Sequence, residues 1–462
     1  MGTRHGASRA RRTFLLVTLV VPIGLGAAVA CAEVGMTVPA DVIVVFREGV
    51  DIAGREAILR EAGAEVRRHF RVIPASSARA GELAVRQRLA DHPEVTGVSA
   101  NRALTLGGKP GAGGGGGAGE AIPSGVDRIG APVAHLMATG AGVGVAVVDT
   151  GLDLDHPDLP IGTACFSAFA GVSCDDNHGH GTRVGGIIAA RKNGSGVLGV
   201  APDATLYAVK VFDAAGQGTD ETVIAGLEWI ANNPVSPAIR VVNLSFYRDA
   251  TPDDAVDPPI GLRKAVAALY AQGITVVAAA GDNLRHVSYE APAGYPEVLA
   301  VAGTSARDGT KSSRCRTVSG ILVKDTEAYL DNWGGFASGV GITISAPSND
   351  QLNLVPTCLV DPVGLATTGP GGGVSTLGGT SAAAAHVSGV AALMWQPRLA
   401  SGLPPEEARC IIRTTADRIG IAPIDAPAGL SVFPNEVPAE KEGIVWAPGA
   451  VSLAAAAASG CP

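Results

Sequence analysis

Apolar and polar positions along this chain fall into blocks whose period changes, and the changes mark its organisation. Residues 14–30 are an almost unbroken apolar run, interrupted by Pro22 and Gly24 and preceded by Arg4, Arg9, Arg11 and Arg12. A positive flank ahead of a short apolar core reads as an export signal, and the run is short for a membrane span. Residues 42–46 then read as a strand, 52–62 as a helix, 65–74 as a strand region, 82–91 as a helix and 95–100 as a strand. This β-α-β-β-α-β order predicts a small ferredoxin-like α+β unit. From Gly107 to Gly119 side chains almost vanish. Glycine leaves little to pack and much backbone freedom, so 107–121 predicts a linker open to proteolysis.

Beyond the linker, apolar strands at 143–148, 205–212, 240–244 and 274–280 alternate with helical stretches near 184–191, 220–232, 261–272 and 382–395. Near-continuous apolar strands separated by helices predict an α/β fold with a doubly wound parallel sheet. Ligands of such sheets collect at the carboxyl ends of the strands. Two stretches rich in Gly, Ser and Pro, near 305–330 and 348–373, read as surface insertions.

At 462 residues and 47% hydrophobic, the chain can bury a large core and one or two further small units. Its net charge of −8 argues against nucleic acid and anionic membrane surfaces as partners. Seven cysteines, Cys31, Cys165, Cys174, Cys315, Cys358, Cys410 and Cys461, suit an exported chain that holds disulfides. Removing or acylating Cys31 leaves six. Proximity in sequence pairs Cys165 with Cys174, Cys315 with Cys358 and Cys410 with Cys461, with other pairings open. No Cys-x-x-Cys and no zinc-like spacing occurs. The leader leaves three alternatives: a signal peptide over 1–32, a lipoprotein acylated at Cys31, or an uncleaved anchor. Arg11-Arg12-Thr13-Phe14-Leu15 resembles a twin-arginine signal, and Ala28-Val29-Ala30-Cys31 resembles a lipobox without its leucine.

The chemistry lies in three short motifs: Val147-Val148-Asp149-Thr150-Gly151, His178-Gly179-His180-Gly181-Thr182 and Gly379-Thr380-Ser381. Alone each is weak, since an Asp after a strand is often a helix cap and Gly-Thr-Ser is often a turn. Together they offer a hydroxyl nucleophile, a base to take its proton and a carboxylate to orient the base. The order Asp, His, Ser separates the subtilisin arrangement from the chymotrypsin and α/β-hydrolase arrangements. These motifs, with Gly196-Val197-Leu198-Gly199-Val200-Ala201-Pro202 and Val241-Val242-Asn243-Leu244-Ser245, resemble the subtilases over roughly residues 120 to 450.

That resemblance implies an exported serine endopeptidase hydrolysing peptide bonds through Asp149, His180 and Ser381. It implies a signal peptide over 1–32, an inhibitory propeptide over 33–106, a linker over 107–121 and a catalytic domain over 122–462. Its partners would be protein or peptide substrates and its own propeptide, with no nucleic acid, a membrane only through a lipid on Cys31, and a monomeric state. It would be secreted, periplasmic or at the cell surface. No cofactor is needed for this chemistry. A structural Ca²⁺ is implied at Asp158 and Asn193, from His156-Pro157-Asp158 and the loop Arg191 to Val197. His156, His178 and His386 read as structural or surface residues, Asp153 and Asp155 as solvated carboxylates. Arg183 stands where many subtilases have a second histidine and kexin-like members have Arg.

The chain departs from the family in four places. Ala382 and Ala385 replace a Met and a Pro behind Ser381, which predicts looser packing there. In Ala280-Gly281-Asp282-Asn283, Asp282 stands where an Asn side chain normally donates to the oxyanion beside the Ser381 backbone. An ionised carboxylate only accepts, and losing such a donor costs about 10² to 10³ in rate. A proprotein convertase of the same superfamily also carries Asp there, and Asn283 is the alternative donor if the loop shifts by one residue. The substrate-pairing edge reads Ser245-Phe246-Tyr247-Arg248, so two glycines beside Gly281 have become bulky. Glu290 falls at the base of the specificity pocket, where a carboxylate would select Lys or Arg, a surface glutamate one residue out of register being the alternative. A catalytically weak or silent subtilase fold used as a binding or scaffold protein is the rival reading.

Overall fold

The computed structural model describes residues 41–107, 119–235, 237–248, 260–313, 315, 321–328, 331–334, 340–356, 358–425, 441–456 and 461. The predicted signal segment with Cys31 and most of the glycine linker lie outside these residues.

The order β1 (Asp41–Phe46), α1 (Ile52–Ala62), β2 (Glu65–His69), β3 (Ala75–Arg79), α2 (Leu83–Ala90), β4 (Val95–Ala100) opens the described chain. Its antiparallel sheet runs β2-β3-β1-β4. The 65–74 strand region stops at His69, ahead of a turn at Pro74, whose nitrogen has no hydrogen to give a ladder. Asp51 starts α1 by accepting from Gly54 N–H, and Gly63 at φ 85° closes it. Period two then sorts β1. Val42 and Val44 pack with Leu59 and Leu89 under the two helices. Ile43 and Val45 face a second core, shared with Ile224, Leu262 and Val266.

The chain continues through β5 (Ala103–Leu106), α3 (Ser124–Arg128), α4 (Ala131–Ala134), β6 (Gly144–Asp149), β7 (Phe166–Ser167), α5 (His180–Ala189), β8 (Thr205–Lys210), β9 (Gly218–Thr219), α6 (Asp220–Asn232), β10 (Ile239–Leu244), β11 (Phe246–Tyr247), α7 (Ile260–Ala271), β12 (Thr275–Ala279), β13 (Val298–Ser305), β14 (Ile342–Asn349) and α8 (Thr380–Trp395). Seven of these strands form one parallel sheet in the order β14-β13-β12-β10-β6-β8-β7. Val145, Val147, Val241 and Val277 pack with α5 and α8 on one face. Ala146, Val148, Val242 and Val276 pack with α6 and α7 on the other. This is the predicted doubly wound α/β architecture.

The second Gly-, Ser- and Pro-rich stretch folds with the residues after it into two hairpins, Gln351–Leu354 with Val360–Val363 and Leu365–Gly369 with Gly373–Leu377. Cys315 and Cys358 share a small apolar cluster with Leu322, Leu352, Leu354 and Val360. They are not joined by a disulfide, whereas Cys165–Cys174 and Cys410–Cys461 are bonded as proximity suggested. Arg128 closes the first helical turn of the larger body onto buried Asp325, at 2.6 and 3.0 Å, and onto Asp417 at 3.0 Å. Arg418 completes this ionic knot by donating to Asp325 at 2.6 Å. Stranding such a buried charge by removing its partner costs about 3–5 kcal/mol. Among the described residues no helix is long and apolar enough to cross a membrane.

Candidate active site

Asp149 ends β6 at its carboxyl end, and His180 opens α5 after Gly179, whose φ of 96° favours glycine. His180 Nδ1–H donates to both Asp149 oxygens, at 2.8 and 2.9 Å, with both side chains out of solvent. Ser381 sits in the first turn of α8 behind Gly379 at φ 79°, where the helix N-terminus favours a developing negative charge. The three predicted residues thus meet from the ends of three separate elements.

They meet at a segment of the chain itself. β5 enters as the middle strand of a three-stranded sheet, antiparallel to β11 on one side and β9 on the other. Thr105 pairs with Tyr247, Leu106 with Phe246, and Gly107 N–H donates to Ser245 O at 3.2 Å. The Gly107 carbonyl oxygen accepts from His180 Nε2 at 2.7 Å and from Ser381 Oγ. Both imidazole nitrogens therefore donate, which is the charged form. Burial presses that form down, but the Asp149 charge and hydrogen bond and the Gly107 carbonyl outweigh it, and the His180 pKa is raised. The imidazole becomes free to act as a base when that carbonyl moves off.

Around this centre stand residues that the sequence did not single out. Buried Asp176 accepts from the N–H of His178, Gly179 and Thr182 and from the Thr182 and Thr150 hydroxyls, at 2.6 to 3.0 Å. These donors overcome the burial penalty and lower its pKa. Asp176 fixes the turn that aims His180; its only sequence signal was a cap-type residue ahead of the His-Gly-His run. Lys210, fully buried, donates to Thr150 O and, at 2.8 Å, to Asn177 Oδ1. Asn243 donates to Ser245 Oγ at 2.8 Å and accepts from Ser388 at 2.9 Å, while Ser245 Oγ donates to Ser381 O at 3.1 Å. The first turn of α8 is tied to β10 by this chain.

Asp282 lies at the oxyanion side. Its Oδ1 accepts from Thr380 N–H at 2.9 Å, and its Oδ2 would stand 3.4 Å from a Cβ added to Gly107. Asn283 points elsewhere, its Nδ2 donating to Glu290 Oε1 at 3.1 Å and its N–H to Asn332 at 3.3 Å. Asn332 also donates to Ala280 O at 2.9 Å and accepts from Arg285 N–H at 2.8 Å, so an inserted segment braces the Gly281-Asp282 loop. Its neighbour Asp331 is fully buried and hydrogen-bonded to Asp282. Burial first, then the Asp282 charge and that bond, push the Asp331 carboxyl well above the usual carboxylate range. Glu290 is buried, 2% exposed.

Ala382, Ala383, Ala384 and Ala385, in the helix behind Ser381, are all at 0% exposure. His386 is buried, bonds Ala382 O at 2.7 Å and is pushed down to about 4 by burial. His178 lies 6.5 Å from the His180 ring, with its pKa lowered by burial and then by His180. His156 takes the Asp158 N–H at 3.1 Å, Asp153 that of Gly371 at 2.8 Å, and Arg183 donates to Ser375 at 3.0 Å. Asp155 is exposed.

At the predicted metal loop, Asp158 accepts from Asn193 Nδ2 at 2.9 Å and Val197 N–H at 3.2 Å, and Glu120 accepts from the N–H of Asn193 and Gly194 at 2.8 and 3.0 Å. Asn193 Oδ1 accepts from Ser195 N–H and Oγ at 2.9 Å, so a Ca²⁺ at Asp158 would need that amide turned and its Ser195 contacts given up. Among the described residues no cluster of three or more His, Cys, Asp or Glu groups forms a metal site.

Known proteins resemble this chain in sequence. M-protease of Shouchella clausii (strain KSM-K16) is 37% identical over 280 residues, 60% of this chain and 60% of its own length. Subtilisin Savinase of Lederbergia lenta is 36% identical over 280 residues, 60% of this chain and 85% of its own. Subtilisin E of Bacillus subtilis (strain 168) is 31% identical over 349 residues, 74% of this chain and 76% of its own. The match to M-protease therefore leaves part of that protein uncovered. The model of the subtilase family matches residues 140–437, which hold Asp149, His180 and Ser381, and the chain belongs to that family.

Proposed function

We propose that this chain is an exported serine endopeptidase, held inactive by residues 33–106 and released by cleavage after Gly107. Ser381 Oγ attacks the peptide carbonyl while its proton passes to His180 Nε2, and Asp149 stabilises the imidazolium. The C–N bond then breaks as His180 gives that proton to the leaving amine, and water repeats the sequence to free the acyl group and Ser381. The observation that carries this reading is the Gly107 carbonyl oxygen held by both His180 Nε2 and Ser381 Oγ. The nucleophile and the imidazole both reach the residue that follows a paired strand, and attack needs its carbonyl oxygen to turn off His180, which frees the imidazole as base.

In this reading residues 1–32 are a signal peptide and 107–121 the linker that is opened. The mature protein, 122–462 with any retained linker, acts as a monomer on proteins or peptides, and acylation of Cys31 would hold only the uncleaved precursor at a membrane. The chemistry needs no cofactor. Asp158, Asn193 and Glu120 hold a structural Ca²⁺. EDTA should then lower the Tm of the mature protein by several degrees and added Ca²⁺ restore it, with Asn193→Ala insensitive to both. A wild-type melt indifferent to EDTA removes the metal from the account.

The rival, a silent fold that only binds, is favoured by Asp282 and the bulky edge strand. A serine-directed fluorophosphonate separates the two. We expect covalent labelling of wild type after maturation and none of Ser381→Ala; a mature, folded wild type that resists the reagent leaves the scaffold.

A further inference from the structure

In the cleft, Gly107 has Ser245 O on its N–H side, with Ser381 and Asp282 on the other. A Cβ on Gly107 would lie 2.7 Å from Ser381 Oγ, 3.4 Å from Asp282 Oδ2 and 3.6 Å from Ser381 N. A side chain there begins against the nucleophile and a carboxylate. To go further it must pass between β11 and the Ala280-Gly281-Asp282 segment. Tyr247 closes that gap: it is 8% exposed, and its Cγ would be 3.3 Å from a Cβ on Gly281. Asn332 Nδ2 would stand 2.4 Å from the same Cβ and also donates to Ala280 O, so Asn332 lines the other side of Gly281.

The neighbouring positions are treated differently. Leu104 is 3% exposed and packs in the core with Phe212 and Phe246. Leu106 Cδ1 would be 3.1 Å from a Cβ on Gly216, in a recess that His178 Nε2 also lines, at 3.2 Å from the same position. Two leucines are received in pockets, and the residue between them and the bond to be cut is received in none.

Resting on the endopeptidase reading above, we propose that Tyr247 restricts the enzyme to glycine at the residue that donates the cleaved carbonyl. Its substrates are peptides with leucine two and four residues upstream of the cut, Leu-x-Leu-Gly. The chain carries such a sequence in Leu104-Thr105-Leu106-Gly107, followed by Gly108. Glu290 then serves its contact with Asn283 and does not meet a basic side chain.

The test uses the mature protein and peptides spanning residues 101–112, with glycine, leucine, phenylalanine or lysine at position 107. We expect kcat/KM for glycine to exceed each of the others by about 10- to 100-fold, the range a large side chain gains or loses with its pocket. Tyr247→Gly should raise the leucine-to-glycine and phenylalanine-to-glycine ratios by a similar factor. Tyr247→Phe, which keeps the ring, should preserve the preference. In the precursor, Gly107→Leu should slow self-cleavage at this bond and Gly107→Leu with Tyr247→Gly should restore it, a readout that does not depend on added peptide. Wild type that cuts the leucine, phenylalanine or lysine peptide as fast as the glycine one, or ratios unmoved by Tyr247→Gly, overturns the proposal. Fluorophosphonate labelling of each variant runs alongside: an unlabelled wild type indicts the endopeptidase reading, whereas a labelled enzyme with no preference for glycine indicts the role of Tyr247 alone.

Discussion

Purified precursor incubated alone is expected to yield a body whose first residue is Gly108, while Ser381→Ala stays full length. The bond is named by geometry: Gly107 directly follows the strand that β11 and β9 hold, and its carbonyl oxygen lies on the Ser381 and His180 donors. Removing the nucleophile of such a triad costs about 10⁶ in rate, so the mutant precursor should be stable over any practical incubation. Terminal sequencing or intact mass reads the outcome. Processing of Ser381→Ala at the wild-type rate, with no other protease present, would mean that the cut is made by something else.

Asp282→Asn should raise kcat/KM on a good peptide about 10- to 100-fold near pH 7, because an amide N–H would replace an acceptor beside the developing oxyanion. In the native protein Asp282 takes a hydrogen bond from Thr380 N–H and shares one with Asp331, whose carboxyl is pushed well above the usual carboxylate range. The variant lets Nδ2 donate to the oxyanion and to Asp331 together. The charges that hold the Asp331 carboxyl up are those of Asp282 and Glu327, both acidic. Below the raised pKa of His180 both forms lose the free base and decline together. Asn283→Ala is the comparison, expected to be nearly silent because its amide is spent on Glu290. Equal kcat/KM for Asp282→Asn and wild type at neutral pH, or a large loss in Asn283→Ala, would place the oxyanion elsewhere.

Much of this was legible in the chain because period and breaker residues were unambiguous. The 220–232 and 52–62 helices carry their own caps, Thr219 and Asp51, and the apolar runs ending at Asp149 and Leu244 have the length of buried parallel strands. The triad was legible for a different reason, since each member sits in a short motif that needs glycine at a fixed offset. What escaped were residues whose meaning depends on contacts far along the chain. Ala103–Leu106 is too short and mixed to read as a strand, and it becomes one only because β9 and β11 flank it. Asp331 and Asn332 lie in a loop insertion with no local pattern, and their roles arise from packing against Gly281 and Asp282. The Cys315 and Cys358 pair shows the converse: nearness was foreseen, but no disulfide joins them in their shared apolar patch.

The knot of Arg128, Asp325, Asp417 and Arg418 bears on what happens once the chain is cut. A fresh terminus at Gly108 is a loose thread, and loose threads invite a fold to unravel from the end. Here the thread is anchored at Arg128, on a buried carboxylate that a distant part of the same body also grips. Fraying can run inward only to that tie. The body is thus fastened independently of the segment it sheds, so departure of the blocking strand should open the cleft without loosening the walls.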